Sequence, residues 1–172
     1  LFTIADLHLS LNGEKPMDVF RGWQNYVSRL EENWRRIVKE EDTVIVAGDI
    51  SWAMKLEDTL PDFQFLHALP GRKILLKGNH DYWWSTRSKI DQFLSEQGFS
   101  DMSVLHNCAY LVEGKAVCGT RGWLYNSETA EDKKIVAREA GRLSMSMAEA
   151  KKLNGELTAF LHYPPVYDDM EC

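Results

Sequence analysis

A layered α/β fold is predicted by this sequence, on two observations. Five short apolar runs, Phe2–Ala5, Thr43–Ala47, Lys73–Leu76, Ala116–Cys118 and Leu157–Leu161, lack the strict alternation of a strand with one wet face. Each therefore reads as a strand covered on both sides. Between them, apolar residues recur at three- and four-residue steps, the spacing of helices with one buried face. The 172 residues make one domain's worth of chain. A chain of that size buries roughly 70% of its unfolded surface and needs no disulfide or structural metal to fold.

Taken in order, Phe2–Ala5 opens the chain as a strand. Trp23, Val27, Leu30, Trp34, Ile37 and Val38 then predict a helix from Val19 to Glu40, with Trp23 and Trp34 as a core stripe. After the Thr43–Ala47 strand, Leu56, Leu60, Phe63 and Leu66 predict a second helix, interrupted or started by Pro61, and His67 is a residue of it. Ile90, Phe93 and Leu94 mark a third helix beyond the Lys73–Leu76 strand. Ala109–Val112 is expected to pair with Ala116–Cys118 as a hairpin across Glu113-Gly114. Val136, Ala140, Leu143, Met147 and Ala150 predict a fourth helix over about 131–153, with Thr129 and Asp132 at capping-box spacing.

Composition excludes several classes. With 44% hydrophobic and 27% charged residues, 11 Gly and 5 Pro, neither disorder nor a fibrous repeat fits. Lys and Arg number 20 against 26 Asp and Glu, a net charge of −6, which disfavours a nucleic-acid partner. No apolar run approaches the ~18 residues of a membrane span. Leu1-Phe2-Thr3-Ile4-Ala5 before Asp6 is no signal peptide. Cys108, Cys118 and Cys172 show no metal-knuckle spacing, and the expectation is a reduced, cytoplasmic protein. The start at Leu1 and the stop after Tyr163-Pro164-Pro165-Val166-Tyr167-Asp168-Asp169 suggest one domain, 1–172, that is part of a longer protein and incomplete at its C-terminus.

The chemistry-bearing residues follow the strands. Asp6-Leu7-His8 comes after the first, Gly48-Asp49 after the second, Gly78-Asn79-His80-Asp81 after the third and His162-Tyr163-Pro164-Pro165 after the last. Ligands in open α/β sheets bind beyond the carboxyl ends of strands, so four such loops could share one site. Carboxylates, an amide oxygen and imidazoles without thiolates form a donor set suited to manganese, iron or zinc. Gly48 and Gly78 would allow sharp turns into the ligand loops. Each piece alone has a plain reading as a cap or turn; the conjunction, in this order, is the signal.

Together, Asp6-x-His8, Gly48-Asp49, Gly78-Asn79-His80-Asp81 and His162 resemble the calcineurin-like metallophosphoesterase superfamily, and most closely its small stand-alone bacterial phosphohydrolases. The resemblance implies a four-layer α/β/β/α sandwich and a metal-dependent phosphohydrolase acting on phosphate mono- or diesters of small molecules. It implies two divalent cations, manganese first with iron or zinc as alternatives, and a hydroxide bridging them that attacks phosphorus. Asp6 and His8 would hold the first metal, Asp49 would bridge, and Asn79 and His162 would hold the second. His80 would act on the phosphoryl group or its leaving oxygen, with Asp81 orienting that imidazole.

One element of the superfamily pattern, Gly-His-x-His, has no match here. Either it lies beyond Cys172, or the chain is a weakened relative, which motivates an alternative: a non-catalytic metal- or nucleotide-binding regulatory protein on the same fold. No Gly-x-Gly-x-x-Gly follows a strand, which disfavours a dinucleotide-binding oxidoreductase. Arg121, after the Ala116–Cys118 strand, is a candidate substrate-binding phosphate clamp or else a surface ion pair. Trp52 and Tyr82-Trp83-Trp84 would stack a nucleobase or simply pack. Arg138 and Arg142 read as solvated charges, and His106 follows no recognised loop.

Overall fold

The computed structural model describes residues 1–13, 15–124 and 129–165, which form two compact units. Cys172 and the run from Val166 onward lie outside the described residues. The first unit comprises Leu1–Leu75 with Asn79–Val104, the second Leu76–Gly78 with the chain from Leu105 on.

The first unit is built on a four-stranded sheet of β1 (Phe2–Ile4), β2 (Thr43–Ala47), β3 (Arg72–Leu76) and β4 (Met102–Val104), in that order. β1 runs parallel to β2 with Thr3 opposite Ile45, and β3 parallel to β4 with Ile74 opposite Ser103. Every residue of β2 is buried, as its unbroken apolar run predicts. The three residues of β4 carry too little pattern to mark a strand in the sequence.

Three helices belong to this unit: α1 (Tyr26–Ile37), α2 (Leu60–His67) and α3 (Arg87–Glu96). Trp34, Phe63, Leu66, Ile90 and Leu94 carry their apolar faces into one core with Val44, Val46, Leu75 and Val104. The first helix is shorter than the apolar spacing predicts. Gly22 and Asn25 both take positive φ, 91° and 53°, which no helix accommodates, so the helix starts only at Tyr26. Trp34 is buried as expected and its indole N–H donates to the Pro70 carbonyl, whereas Trp23 stands outside the core. Pro61 sits in the first turn of α2, where its missing N–H costs nothing. Lys73 is fully buried in β3; its ammonium is satisfied by the Leu69 carbonyl and by Asp101, whose other oxygen meets His67 Nδ1.

The second unit holds a three-stranded sheet of β5 (Tyr110–Val112), β6 (Lys115–Thr120) and β7 (Glu156–Leu161), with the long helix α4 (Ala130–Ala150). β5 and β6 form the antiparallel hairpin the sequence predicts. Glu113 and Gly114 turn it with positive φ at both positions, 49° and 77°, the demand of a tight two-residue turn. β7 runs parallel to β6, and at Gly119 a Cβ would lie 2.3 Å from the Phe160 carbonyl oxygen, so only glycine fits. Thr129 caps α4 by accepting the Asp132 N–H at 3.1 Å. Ser146, buried in α4, accepts the Gly119 N–H and donates to the Cys108 carbonyl, which ties the helix to the sheet. Cys108 and Cys118 are free and buried, and burial raises the Cys118 thiol pKa.

The result is a mixed α/β protein with two sheets and helices packed in each unit. No helix among the described residues is long and apolar enough to cross a membrane.

Candidate metal centre

Two loops of the first unit run side by side beyond the ends of β1 and β2. Asp6 N–H donates to the Gly48 carbonyl, His8 to Asp49, Leu9 to Ile50, and Trp52 back to Leu9. The parallel pairing of the strands thus continues into the loops, and a bridge forms between Leu9 and Ser51. Within this ladder Asp6, His8 and Asp49 all take left-handed backbone conformations, with φ of 58°, 45° and 53°. Such conformations strain a residue with a side chain by about 1–3 kcal/mol each and persist only where surrounding bonds enforce them. Gly48, with φ 99°, makes the turn its position predicts; Gly78 is not among the positive-φ glycines.

The strained backbone brings three donors together. Ligand atoms of Asp6, His8 and Asp49 lie within 4.8 Å of one another, with His8 Nε2 3.6 Å from an Asp6 oxygen and 3.8 Å from an Asp49 oxygen. Donor atoms about 2.0–2.2 Å from a common cation fall within that range of mutual separation. Two carboxylates and an imidazole are also the right chemistry for a divalent ion. The residues therefore fit a metal.

Asp49, 2% exposed, is held at both ends: its Oδ1 accepts the His80 N–H at 2.8 Å, while Oδ2 faces His8. Behind it, Asp81 is 1% exposed and its carboxylate accepts the backbone N–H groups of Asp49, Ile50 and Ser51 and the Trp83 indole N–H. The group at His80 Nδ1 is the Tyr82 hydroxyl, 3.2 Å away. Two contacts define the surroundings of these residues. The carboxylate serves as an internal anion for a loop whose amides point inward, and the phenol meets the imidazole.

Tyr26 and Asp62 support the centre from outside the motif. Tyr26, at the start of α1, donates its hydroxyl to the His8 carbonyl at 2.9 Å. Burial first, with Asp62 and Asp18 adding, pushes the Tyr26 pKa up to about 12, so the hydroxyl remains a donor. Asp62, buried in α2, accepts from Leu11 N–H at 2.8 Å and from the Ser51 hydroxyl at 2.5 Å, bracing both loops at once. Burial raises its pKa, opposed by those two hydrogen bonds. An acidic residue inside a short apolar helix was the only hint of that role. Trp23 lies edge-on to His8, with ring centroids 6.0 Å apart. Trp52 stacks on His8 at 4.9 Å and also meets His80 at 4.7 Å. Of the aromatic triplet, Trp83 is core against Phe63, whereas Tyr82 is 50% exposed beside His80.

Of the remaining candidates, Asn79 belongs to the first unit and His162 and Arg121 to the second. Asn79 directly precedes His80 in the loop after β3, half-buried. His162 follows β7 in the second unit, half-buried, with its ring edge-on to Tyr163 at 5.4 Å. Arg121 follows β6, its side chain 12% exposed, 3.5 Å from Glu139 and 4.6 Å over the Trp123 ring. Burial lowers its pKa, and Glu139 acts in the opposite direction. Glu139 is itself buried and also binds the Thr120 hydroxyl at 2.6 Å and Arg142 at 2.7 Å. Arg121 and Arg142 thus share one buried carboxylate.

The family model for calcineurin-like phosphoesterases matches residues 2–165. This chain belongs to that family. As a calcineurin-like phosphoesterase it is assigned phosphoester hydrolysis in general, with a metal-dependent centre for which Asp6, His8 and Asp49 are a possible site. Among solved structures it is similar to phosphopantetheinyl hydrolase from Mycobacterium tuberculosis, at 14% identity over 94% of this chain and 67% of that one, with a TM-score of 0.51. It is also similar to AQ665 from Aquifex aeolicus, a protein of unknown function, at 21% identity over 92% of this chain and 88% of that one, with a TM-score of 0.48. At these identities the first likeness speaks for the fold alone. No curated protein matches the chain.

Proposed function

We propose that this phosphoesterase is a metal-dependent hydrolase of small phosphate mono- or diesters working through a dinuclear centre. The observation that carries the reading is the convergence of Asp6, His8 and Asp49, three strained positions whose ligand atoms lie within 4.8 Å of one another. Asp6 and His8 would hold a first cation, and Asp49 would be shared with a second. Asn79 and His162 are assigned to that second cation on the motif alone. Manganese is the ion proposed, from the mixed carboxylate, amide and imidazole donor set.

When bound, the cations supply Lewis-acid stabilisation of phosphoryl charge and a lowered pKa for water. The chain's own residues do the rest. Hydrolysis joins a water oxygen to phosphorus and breaks the bond to the leaving oxygen, which must take up a proton. His80 is proposed as the donor. Its Nδ1 faces the Tyr82 hydroxyl, so Nε2 is the nitrogen that would deliver the proton and later recover one from solvent. Asp81 is proposed to act through the backbone, holding the Asp49 loop at the angle the ligands need. The stacked rings of Trp52 and His8 would shield the inner face from bulk water.

The test is metal content beside turnover. Wild-type protein reconstituted with Mn²⁺ and desalted should retain the ion and hydrolyse a chromogenic phosphoester. Asp49→Asn should lose both, and His80→Ala should keep the metal while turnover falls by about 100-fold or more. Undiminished activity in both variants, or no retained manganese in the wild type, would overturn the reading.

A further inference from the structure

The first unit places a cation beside the proposed centre that the sequence did not single out. Lys15 Nζ lies 4.4 Å from the centroid of the Trp52 ring and 6.0 Å from that of Tyr82. The same Trp52 ring stacks on His8 and meets His80, so ammonium, indole and the two imidazoles are successive neighbours. The Lys15 backbone is tied to the loop after the ligands, since its N–H donates to Ser10 Oγ at 2.9 Å, two residues beyond His8. No carboxylate among the described residues pairs with it.

An exposed ammonium over an aromatic face is held by about 0.5–1 kcal/mol. A charge-assisted bond to an oxyanion is stronger and shorter than a neutral one. A cation parked on a weak partner next to a phosphoryl site is therefore ready to transfer to a stronger one. The charge of the ligand decides how much it gains. A phosphomonoester, with a second pKa near 6, carries close to two negative charges at neutral pH, whereas a diester carries one.

We propose that Lys15 is a substrate-binding residue of this centre, transferring its ammonium from the Trp52 ring to a phosphoryl oxygen, and that it selects phosphomonoesters over diesters. The assignment rests on the hydrolase reading above. It places an anion-binding role on a lysine within the first unit, where Asp6, His8 and Asp49 lie.

The test compares Lys15→Met and Lys15→Arg with wild type, all loaded with Mn²⁺. Binding of inorganic phosphate is measured by titration calorimetry, and turnover with para-nitrophenyl phosphate and bis(para-nitrophenyl) phosphate. In Lys15→Met the phosphate Kd and the monoester KM should each rise about tenfold, with kcat and metal content little changed and the diester KM within about threefold. Lys15→Arg, which keeps the charge, should stay within about threefold of wild type throughout. Unaltered phosphate binding in Lys15→Met, or equal losses on monoester and diester, would overturn the Lys15 assignment while manganese-dependent turnover left the hydrolase reading standing. Neither phosphate binding nor turnover in manganese-loaded wild type would overturn both.

Discussion

The carboxylate of Asp81 accepts the backbone N–H of Asp49 at 2.9 Å, and with it the N–H groups of the next two residues. A side chain placed next to His80 in sequence thereby fixes the loop on which Asp49 sits, 32 residues earlier. The consequence is measurable. Asp81→Ala would leave three buried amides and the Trp83 indole N–H without an acceptor. Each orphaned donor costs about 1–3 kcal/mol, so a loss of at least about 4 kcal/mol is expected in urea denaturation. Asp81→Asn, which sets an amide donor against one of those N–H groups, should lose about 2 kcal/mol. A residue that merely oriented His80 would lower kcat and leave stability nearly unchanged.

Tyr26 gives a prediction at alkaline pH. Its folded pKa of about 12 lies above the ordinary 10.0, chiefly through burial. The stability this contributes is therefore complete below pH 10 and is lost as the pH rises through about 12. Tyr26→Phe removes the donor to the His8 carbonyl and should cost about 1 kcal/mol at pH 7. Its gap from wild type should shrink when denaturation is repeated at pH 11. A gap independent of pH would disprove the assignment.

Asp62 should respond in the acid range. Burial raises its carboxyl pKa, so its linked stability is complete below the ordinary carboxylate value and declines as the pH rises through the raised one. Wild type should accordingly lose ground to Asp62→Asn between pH 4.5 and 8. Asp62→Ala, which strands Leu11 N–H and the Ser51 hydroxyl, should cost about 2–3 kcal/mol at pH 7. Urea denaturation at both pH values checks the two statements.

In the second unit, Glu139 is the buried partner of Arg121 and Arg142. Removing one member of a buried pair leaves the others uncompensated, and Glu139→Ala should destabilise by about 3 kcal/mol. Arg138, 53% exposed and 3.6 Å from the same carboxylate, offers the contrast. Arg138→Ala should cost less than about 1 kcal/mol. Equal losses would mean that the cluster is not organised by burial.

What the sequence could tell was governed by the range of the physics involved. Thr43–Ala47 is a strand at the residues its apolar run marks, and Thr129 caps the helix it precedes, because both are local effects. The Asp6, His8 and Asp49 loops were legible through their order along the chain, since each follows a strand of one sheet. α1 starts later than the apolar spacing suggests because that spacing continues through Gly22 and Asn25, where the backbone turns left-handed. Trp23, on the same spacing, stands outside the core for the same reason. Lys15, Tyr26 and Asp62 acquire meaning only from partners 18 to 51 positions away, Trp52, His8 and Leu11.

The left-handed backbone at Asp6, His8 and Asp49 sets a limit on how far this protein can be hardened. Glycine adopts such a conformation freely, so at these positions the chain's most comfortable residue is one that can hold no ion. A population of variants screened only for heat resistance would drift towards glycine there, beginning with Asp6, and would arrive at a sturdier protein with an empty purpose.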